Sequence, residues 1–357
     1  METIVERTLS VNCAPMRAMK RGAIFTAAAA ALAGTAVLLE RTLLAAPHYH
    51  GPRSHHFDGK RFHNGNPLKQ TEGSFLKWQL NRDRGYWRDW VEAPAGPRPP
   101  ASVDDLRVTF VNQSTLLIQM DGINILTDPI WSERCSPVAF AGPKRHRPPG
   151  IRFDDLPKID IVLVSHNHYD HLDIPSLRAL QSRFHPRILT PLGNSALMAR
   201  HGIEGAEDMD WWQTKDNITL VPAQHFCARG LSDRNATLWG GFVISGRAGN
   251  VYFAGDTGWG DHFAQVAKRF PSIRLACLPI GAYLPRWFMR PVHIDPAEAL
   301  EAHKVLGAST SIAMHYGTFN LGDDGETQPV DDLRQSIAAN GDPRFWILGF
   351  GEGRLVP

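Results

Sequence analysis

The sequence predicts an α/β fold with one main domain, and three observations support this prediction. Short β-rich runs alternate with helical segments from about residue 103 to the C-terminus. One run, 159–164, is almost entirely apolar, which is typical of a strand that is buried on both faces. Hydrophobic residues make up 43% of the 357 residues, enough for one large core or two modest ones. Because no internal repeat or second linker interrupts residues 103–357, we predict one domain there.

The first 46 residues are predicted to be a signal or anchor segment. Three basic residues between positions 17 and 21 precede an uncharged, largely apolar run at 22–39. As a helix this run would be about 27 Å long, close to the roughly 30 Å of a hydrocarbon core. Its basic N-terminal side predicts export of the rest of the chain. In a bacterium we expect either an inner-membrane anchor facing the periplasm or, after cleavage near Ala33, a periplasmic protein; a buried soluble helix is the remaining alternative.

Residues 47–102 are rich in His, Arg, Gly and Pro and show no sustained periodicity. We therefore predict an extended arm that lies on the main domain. Five histidines with irregular spacing occur in this segment, and a solvated surface is favoured over a metal site for all of them. They are His48, His50, His55, His56 and His63.

The main domain begins with short β-rich runs at 106–111, 115–120 and 123–127. Asp121-Gly122 separates the second run from the third, and this dipeptide favours the tight turn of a β-hairpin. Six further strands are predicted at 159–164, 218–221, 241–245, 251–254, 275–279 and 311–314.

Helices are predicted at 176–184 and 296–305. The second has clear start signals, with Asp295 at the N-cap, Pro296 in the first turn and Glu298 three residues after the cap. Strands that alternate with helices and hairpins over one continuous stretch are typical of a single α/β domain.

The composition excludes several classes of protein. With 38 Lys and Arg against 36 Asp and Glu, the net charge of +2 gives no reason to expect a nucleic-acid partner. The apolar fraction, with 31 Gly and 26 Pro, excludes a disordered chain and a coiled coil. Four cysteines are too few for a fold built on disulfides. The 16 histidines are unusual, and their positions decide the functional interpretation.

Residues 165–171 carry the most chemical information, with the sequence Ser-His-Asn-His-Tyr-Asp-His directly after the apolar strand. His166 and His168 point to the same side if strand geometry persists for one more step, and Asp170 and His171 lie on the turn that follows. Imidazole and carboxylate are ligands that zinc takes. Chance would produce this pattern in roughly one chain per thousand of this length, so we interpret it as a metal site.

Further ligands are expected from the ends of other strands. His225, Asp256 and His315 each follow a predicted strand at the point where it gives way to a loop. Side chains are presented at such positions rather than buried in the core. For any one of them alone, a structural hydrogen bond is as good an interpretation as ligation, but the three together favour a metal centre.

The pattern His-X-His-X-Asp-His followed by a distant His, an Asp and a final His resembles the metallo-β-lactamase superfamily. Within it, the chain is most similar to the N-acyl-phosphatidylethanolamine-hydrolysing phospholipase D family and its bacterial relatives. Segments that extend this similarity beyond the ligands are 126–130, 142–145, 210–212, 238–240, 279–283, 285–289 and 315–319.

This resemblance implies an αββα sandwich with two zinc ions per chain at one edge. The implied ligands are His166, His168 and His225 for the first ion, Asp170, His171 and His315 for the second, and Asp256 between the two. Asp128 would orient one of the ligand imidazoles. Gln113 occupies a position where the phospholipase often has His, which leaves the contact made from the first strand open.

The reaction implied is hydrolysis of a phosphodiester, with a phospholipid such as N-acyl phosphatidylethanolamine as substrate. A bridging hydroxide would attack phosphorus in line, with Asp170 and Asp256 holding the metal pair. His293 is a candidate substrate contact or proton donor, or else packs at a helix start. Three interpretations are open for the segment Arg286, Trp287, Phe288 and Met289. It forms a wall of an acyl-chain groove, a membrane-facing lip or a loop anchored in the core.

Three other functions compete with this one. A related metallohydrolase could cleave a lactone or a thioester with the same metal pair. A di-iron oxidoreductase of the superfamily typically has Glu where this chain has His168, so the sequence argues against it. A non-catalytic, metal-stabilised envelope or binding protein would need only a closed structural site with four ligands. The membrane is an expected partner through the N-terminal segment, and a homodimer remains open.

Overall fold

The computed structural model describes residues 40, 44–68, 74–341 and 344–357. The apolar run at 22–39, interpreted above as an anchor or signal, lies outside these residues. Within the described ranges no helix has both the length and the apolarity needed to cross a membrane.

Two seven-stranded sheets form the centre of the described chain. In chain order the strands are β1 (Leu106–Asn112), β2 (Thr115–Met120), β3 (Ile123–Thr127), β4 (Ile161–Leu163), β5 (Arg187–Pro191), β6 (Glu207–Met209), β7 (Thr214–Lys215), β8 (Ile218–Val221), β9 (Gly241–Gly246), β10 (Gly249–Phe253), β11 (Ile273–Pro279), β12 (Thr310–Met314), β13 (Phe345–Trp346) and β14 (Gly353–Leu355). The spatial order is β14-β1-β2-β3-β4-β5-β6 in one sheet and β13-β12-β11-β10-β9-β8-β7 in the other.

The helices lie between and after these strands. They are α1 (Ser74–Leu80), α2 (Ile174–Phe184), α3 (Asn194–Arg200), α4 (His262–Arg269), α5 (Arg286–Met289), α6 (Pro296–Leu306) and α7 (Gln328–Ala339). The predicted start of α6 is confirmed, since Asp295 and Glu298 form a reciprocal capping box.

The two sheets face each other, and helices cover their outer faces. On β2, Leu116 and Ile118 belong to the large core between the sheets, whereas Leu117 packs in a second core with Leu177 and Leu180 of α2. Successive strand residues point to opposite faces, so this alternation shows one sheet buried on both sides. Ala299 and Leu300 of α6, a helix that contacts β11, belong to the same cluster of buried residues, so this cluster extends beyond the space between the sheets. The α/β sandwich with two sheets is therefore confirmed.

The strand directions place several carboxyl ends at one edge. Strands β8 and β10 both pair antiparallel with β9, and β10, β11 and β12 pair parallel. Consequently β8, β10 and β12 run in the same direction and end at the same edge of the second sheet. In the first sheet β4 is shorter than the predicted strand 159–164. Ile159 and Val164 are fully buried, as predicted, but they lie outside the ladder of hydrogen-bonded strand residues.

The N-terminal arm is more structured than its composition predicted. Residues 74–80 form α1, and Phe57 and Phe62 are buried in the large core. The expectation that all five arm histidines are solvated is wrong for His56. Its ring stacks on Trp211 at 4.6 Å, and its Nε2 lies 2.7 Å from Oδ1 of Asp210. The other four histidines are exposed.

Candidate metal centre

Four strand ends bring together all seven side chains that the sequence predicted as ligands. The segment 165–171 follows β4, and His225, Asp256 and His315 follow β8, β10 and β12 within four residues. Gly255 permits this approach, since it adopts φ +61° and a Cβ there would lie 2.7 Å from Cβ of Ser165. The two sheets thus contribute to one site at the edge that they share.

Three imidazole nitrogens form the first cluster. Nε2 of His166 lies 2.9 Å from Nδ1 of His168, which lies 3.3 Å from Nε2 of His225. Two nitrogens bound to one tetrahedral zinc at about 2.0–2.1 Å are about 3.3–3.4 Å apart. The cluster therefore fits a single ion.

The second cluster mixes imidazoles with carboxylates. Nε2 of His171 lies 3.1 Å from Oδ2 of both Asp170 and Asp256. Nε2 of His315 lies 3.2 Å and 3.1 Å from the same two oxygens. These four atoms surround a common point, and they are of the types that zinc binds.

Asp256 lies between the two clusters. Its Oδ2 belongs to the second cluster and is also 3.9 Å from Nε2 of His225 in the first. Its Oδ1 is buried and has no hydrogen-bond partner among the described residues. An unpaired buried carboxylate oxygen is costly, so this atom fits a bound cation.

The pKa shifts separate the clusters into a neutral group and a charged group. Burial lowers the pKa of His168 and of His225 to about 3, so both rings are neutral at physiological pH and offer lone pairs. For His315 burial acts in the same direction, but Asp256 and Asp170 outweigh it and raise the pKa to about 9. In the second cluster the protonated ring of His315 supplies the positive charge next to the carboxylates that a metal cation would otherwise supply. Metal binding would therefore release that proton.

Asp128 occupies the orienting position that the resemblance implied. Its Oδ2 lies 2.7 Å from Nδ1 of His171, and it accepts hydrogen bonds from the backbone N–H and the hydroxyl of Ser165. The arrangement fixes Nδ1–H as the donor, which leaves Nε2 of His171 directed at the cluster. Ser165 also lies 2.9 Å from Nδ1 of His166, so one serine supports two of the imidazoles.

Gln113 makes the contact that the sequence left open. It lies in the turn between β1 and β2, and its Nε2 donates to Oδ2 of Asp170 at 2.9 Å. Its backbone carbonyl accepts from the N–H of His315 at 2.7 Å. One residue thereby positions two members of the second cluster.

Replacing Gln113 with Ala is expected to weaken metal binding at the second cluster by about 10–100-fold, because Asp170 loses a hydrogen bond that orients it. Competition with a chromogenic chelator measures this affinity. Gln119→Ala is the matched control, since Gln119 is equally buried but bonds Asn124 and Pro100 away from the site. Equal affinities for the Gln113 and Gln119 variants would contradict this role.

The centre opens into an apolar cavity of about 670 Å³. His168 and His293 lie on its wall, and Nδ1 of His293 is 3.9 Å from Oδ2 of Asp256. Burial lowers the pKa of His293 to about 3, so the ring is neutral. Phe226, Phe288 and other apolar residues form most of the remaining wall, which also includes Ser74 and Arg234.

The residues of segment 286–289 point in different directions, and only some of them line the cavity. Phe288 and Met289 line the cavity, whereas Trp287, which precedes them on α5, is half exposed. Arg286 turns away from the cavity and forms ion pairs with Asp295 and Glu298, at 3.3 Å and 2.6 Å. It also donates to the carbonyl of His293, so it stabilises the loop that carries this histidine.

Sequence reasoning missed the contribution of the arm to this cavity. Phe75 and Trp78 of α1 line it, and Trp78 stacks on Phe288 with ring centroids 4.9 Å apart. Trp78 is in turn fixed by a hydrogen bond to Asp323. No local pattern in the sequence links these residues, since they are far apart along the chain.

Comparisons with known proteins agree with the fold. Residues 123–316 match the family described as the Beta-lactamase superfamily domain. The chain is 39% identical over 272 residues to N-acyl-phosphatidylethanolamine-hydrolyzing phospholipase D 1 of Caenorhabditis elegans, covering 70% of this chain and 76% of the relative. It is 36% identical over 236 residues to the mitochondrial N-acyl-phosphatidylethanolamine-hydrolyzing phospholipase D of Saccharomyces cerevisiae, covering 63% of this chain and 50% of that protein.

Solved structures show the same fold at lower sequence identity. The isothiocyanate hydrolase from Delia radicum gut bacteria superposes with a TM-score of 0.56 and 21% identity, covering 70% of this chain and 98% of the enzyme. At this identity the likeness establishes the fold alone.

The fold and the site together define a metal-dependent hydrolase of the metallo-β-lactamase superfamily. Within this superfamily, the chain belongs to the family of N-acyl-phosphatidylethanolamine-hydrolysing phospholipase D and its bacterial relatives.

Proposed function

We propose that the protein is a zinc-dependent phosphodiesterase with two zinc ions per chain that hydrolyses N-acyl phosphatidylethanolamine or a closely related phospholipid. The observation that carries this proposal is the junction of the two ligand clusters with the apolar cavity of about 670 Å³. A cavity with aromatic and aliphatic walls suits an acyl chain, and the clusters at its end suit a charged phosphodiester. The activity named for the worm and yeast relatives supports the same substrate.

The side chains of the two clusters have distinct tasks in this reaction. Zinc ions held by the two clusters would supply a water of lowered pKa and would stabilise charge on the phosphoryl oxygens. Asp256 would hold the two ions together, while Asp170, His171 and His315 complete the second position. His166, His168 and His225 would complete the first position. Because water would be the nucleophile, the reaction requires no nucleophilic side chain.

The bonds that change follow from the products of this hydrolysis. Water adds its oxygen to phosphorus, and the bond from phosphorus to the ethanolamine oxygen breaks. That oxygen takes up a proton and leaves as the hydroxyl of an N-acylethanolamine, and the water oxygen remains on phosphatidic acid. His293, a neutral ring on the cavity wall beside Asp256, is placed to donate its N–H to the reacting phosphoryl group.

The surroundings of the cavity favour a substrate that is held in a lipid surface. Four large apolar side chains stand exposed on segments that line the cavity or adjoin its lining: Phe75, Leu76, Leu231 and Trp287. The ammonium group of Lys77 lies 5.1 Å from the ring of Trp287, so a cation accompanies them. Apolar side chains with an adjacent cation are typical of surfaces that contact anionic lipid. We infer that the cavity receives its substrate from a membrane, facing the periplasm if the N-terminal segment acts as an anchor or signal.

Turnover and metal content test the proposal together. The zinc-loaded full chain in detergent micelles should contain two zinc ions and release N-acylethanolamine, and chelation should abolish release until zinc is restored. Two ions without release would exclude the lipid and direct attention to lactones and thioesters. One ion and no turnover on any of these substrates would favour a metal-stabilised binding protein.

A further inference from the structure

We propose that the N-terminal arm is part of the metal centre and that Asn64 is the residue that positions His225 for metal binding. This inference deepens the proposed function, because it rests on His225 being a ligand of the first ion.

Asn64 binds both backbone groups of His225 with its side-chain amide. Its Oδ1 accepts from the N–H of His225 at 3.0 Å, and its Nδ2 donates to the carbonyl of His225 at 2.8 Å. The two bonds imitate the paired hydrogen bonds of a β-ladder, although the two residues are separated by 161 positions. Trp239 supports the amide with a shared hydrogen bond, since its Nε1–H lies 3.2 Å from the same Oδ1 and 2.9 Å from the carbonyl of Ala223.

His225 needs such support because it lies beyond regular structure. Strand β8 ends at Val221, and the last bridge before His225 pairs Gln224 with Gly258. The imidazole itself is oriented by Val292, whose carbonyl lies 2.9 Å from Nδ1. Asn64 holds the backbone and Val292 holds the ring, so together they direct Nε2 at the first cluster.

The arm provides a rigid base for this contact. Phe62, two residues before Asn64, is fully buried in the large core, and its ring packs against Phe57 with centroids 4.5 Å apart. The backbone N–H of Phe62 donates to the carbonyl of Asn235 at 2.8 Å. Farther along, Gln224 donates its Nε2–H to the carbonyl of Asn66, which adds a second tie between the arm and the ligand loop.

Two consequences separate a positioning role from a merely structural one. Removing the amide should lower the affinity for one of the two ions, not only the melting temperature. Because coupling between two events is reciprocal, metal binding should also stabilise the docked arm. An asparagine that only filled hydrogen bonds would show neither effect.

The experiment compares Asn64→Ala and Asn64→Asp with wild type as full-length zinc-loaded proteins. Asn64→Asp keeps the acceptor for the His225 N–H and the size of the side chain, so it tests the role even if the alanine variant folds poorly. Asn194→Ala is the matched control, since buried Asn194 donates to two backbone carbonyls, those of Pro191 and Leu238, away from the ligands. Zinc affinities are measured by competition with a chelator, and amide hydrogen exchange of residues 54–64 is followed with and without zinc.

We expect Asn64→Ala to bind one of its two zinc ions about 10–100-fold more weakly, with Asn64→Asp between it and wild type and the Asn194 variant unchanged in affinity. Zinc should slow exchange in residues 54–64 of wild type and have little effect there in Asn64→Ala. Wild-type zinc affinity in both Asn64 variants would overturn the inference. A wild-type chain that binds two ions with this coupling but releases no N-acylethanolamine would remove the proposed substrate and leave the role of Asn64 supported.

Discussion

Asp256→Asn is expected to lower kcat/KM for N-acyl phosphatidylethanolamine by at least about 10³-fold and to reduce the zinc content from two ions to one. Removing a single transition-state donor typically costs about 10²–10³ in rate, and this substitution removes a charge that both clusters face. Oδ2 of Asp256 is 3.1 Å from Nε2 of both His171 and His315 and 3.9 Å from Nε2 of His225. A neutral amide presents its nitrogen or its weaker carbonyl oxygen to the same groups and cannot replace a bridging carboxylate.

The measurements for this variant are elemental analysis of the dialysed protein and turnover over a range of lipid concentrations, from which kcat/KM is obtained. Asp208→Asn serves as the control, because Asp208 is a partly buried carboxylate that accepts from the backbone N–H groups of Gly193 and Ser195 away from the site. If Asp256→Asn retained two zinc ions and turnover within tenfold of wild type, the bridging role would be refuted.

The candidate ligand set was accessible from the sequence because sheet topology places several strand ends, and the side chains that follow them, at one edge. His225, Asp256 and His315 each follow a β-rich run, and runs that lie parallel in one sheet end at one edge. The sequence pattern therefore predicted that these residues converge without any knowledge of their distances. Asp128 was reached only through family resemblance, since nothing around it predicts that its carboxylate meets His171.

The supporting residues were not predictable in this way, because they act through contacts between distant parts of the chain. Asn64 lies in a segment without periodicity, and its bonds to His225 depend on how that segment docks. Trp78 reaches the cavity because α1 packs against α5, and the ring of His56 is buried because it stacks on both Trp211 and Phe62. Composition describes only the average surroundings of a segment. It therefore predicted a solvated arm and could not identify the single arm residues that pack into the core.

The division of charge in the centre also emerged only from the structure. Burial keeps the rings of His168 and His225 neutral by lowering the pKa of each to about 3. At His315 the carboxylates Asp256 and Asp170 outweigh burial and raise the pKa to about 9. Spacing in the sequence treats all these histidines alike. The histidines differ in pKa because their surroundings differ, and the two carboxylates act most strongly in the second cluster. A cation is therefore most strongly favoured at that cluster.

His293→Ala is expected to lower kcat by about 10²–10³-fold while the zinc content stays at two per chain. His293 lies on the cavity wall with its Nδ1 3.9 Å from Oδ2 of Asp256, close enough to His225 and Asp256 to share an ion with them. We expect its neutral ring to contact substrate instead, and the metal count separates the two roles. His293→Gln keeps an N–H donor on a side chain of similar length, so it should recover part of the lost rate. Steady-state turnover with a metal count on the same samples measures both effects.

The control for His293 is a buried histidine outside the cavity. His303 lies on α6 with Nδ1 2.8 Å from the hydroxyl of Ser311, so His303→Ala should reduce thermal stability and leave kcat near wild type. If His293→Ala instead lost a zinc ion in proportion to its activity, the ring would act as a ligand and not as a substrate contact. Equal kcat values for the Ala and Gln variants would show that its N–H is not the functional group, because only Gln can supply a donor at that position.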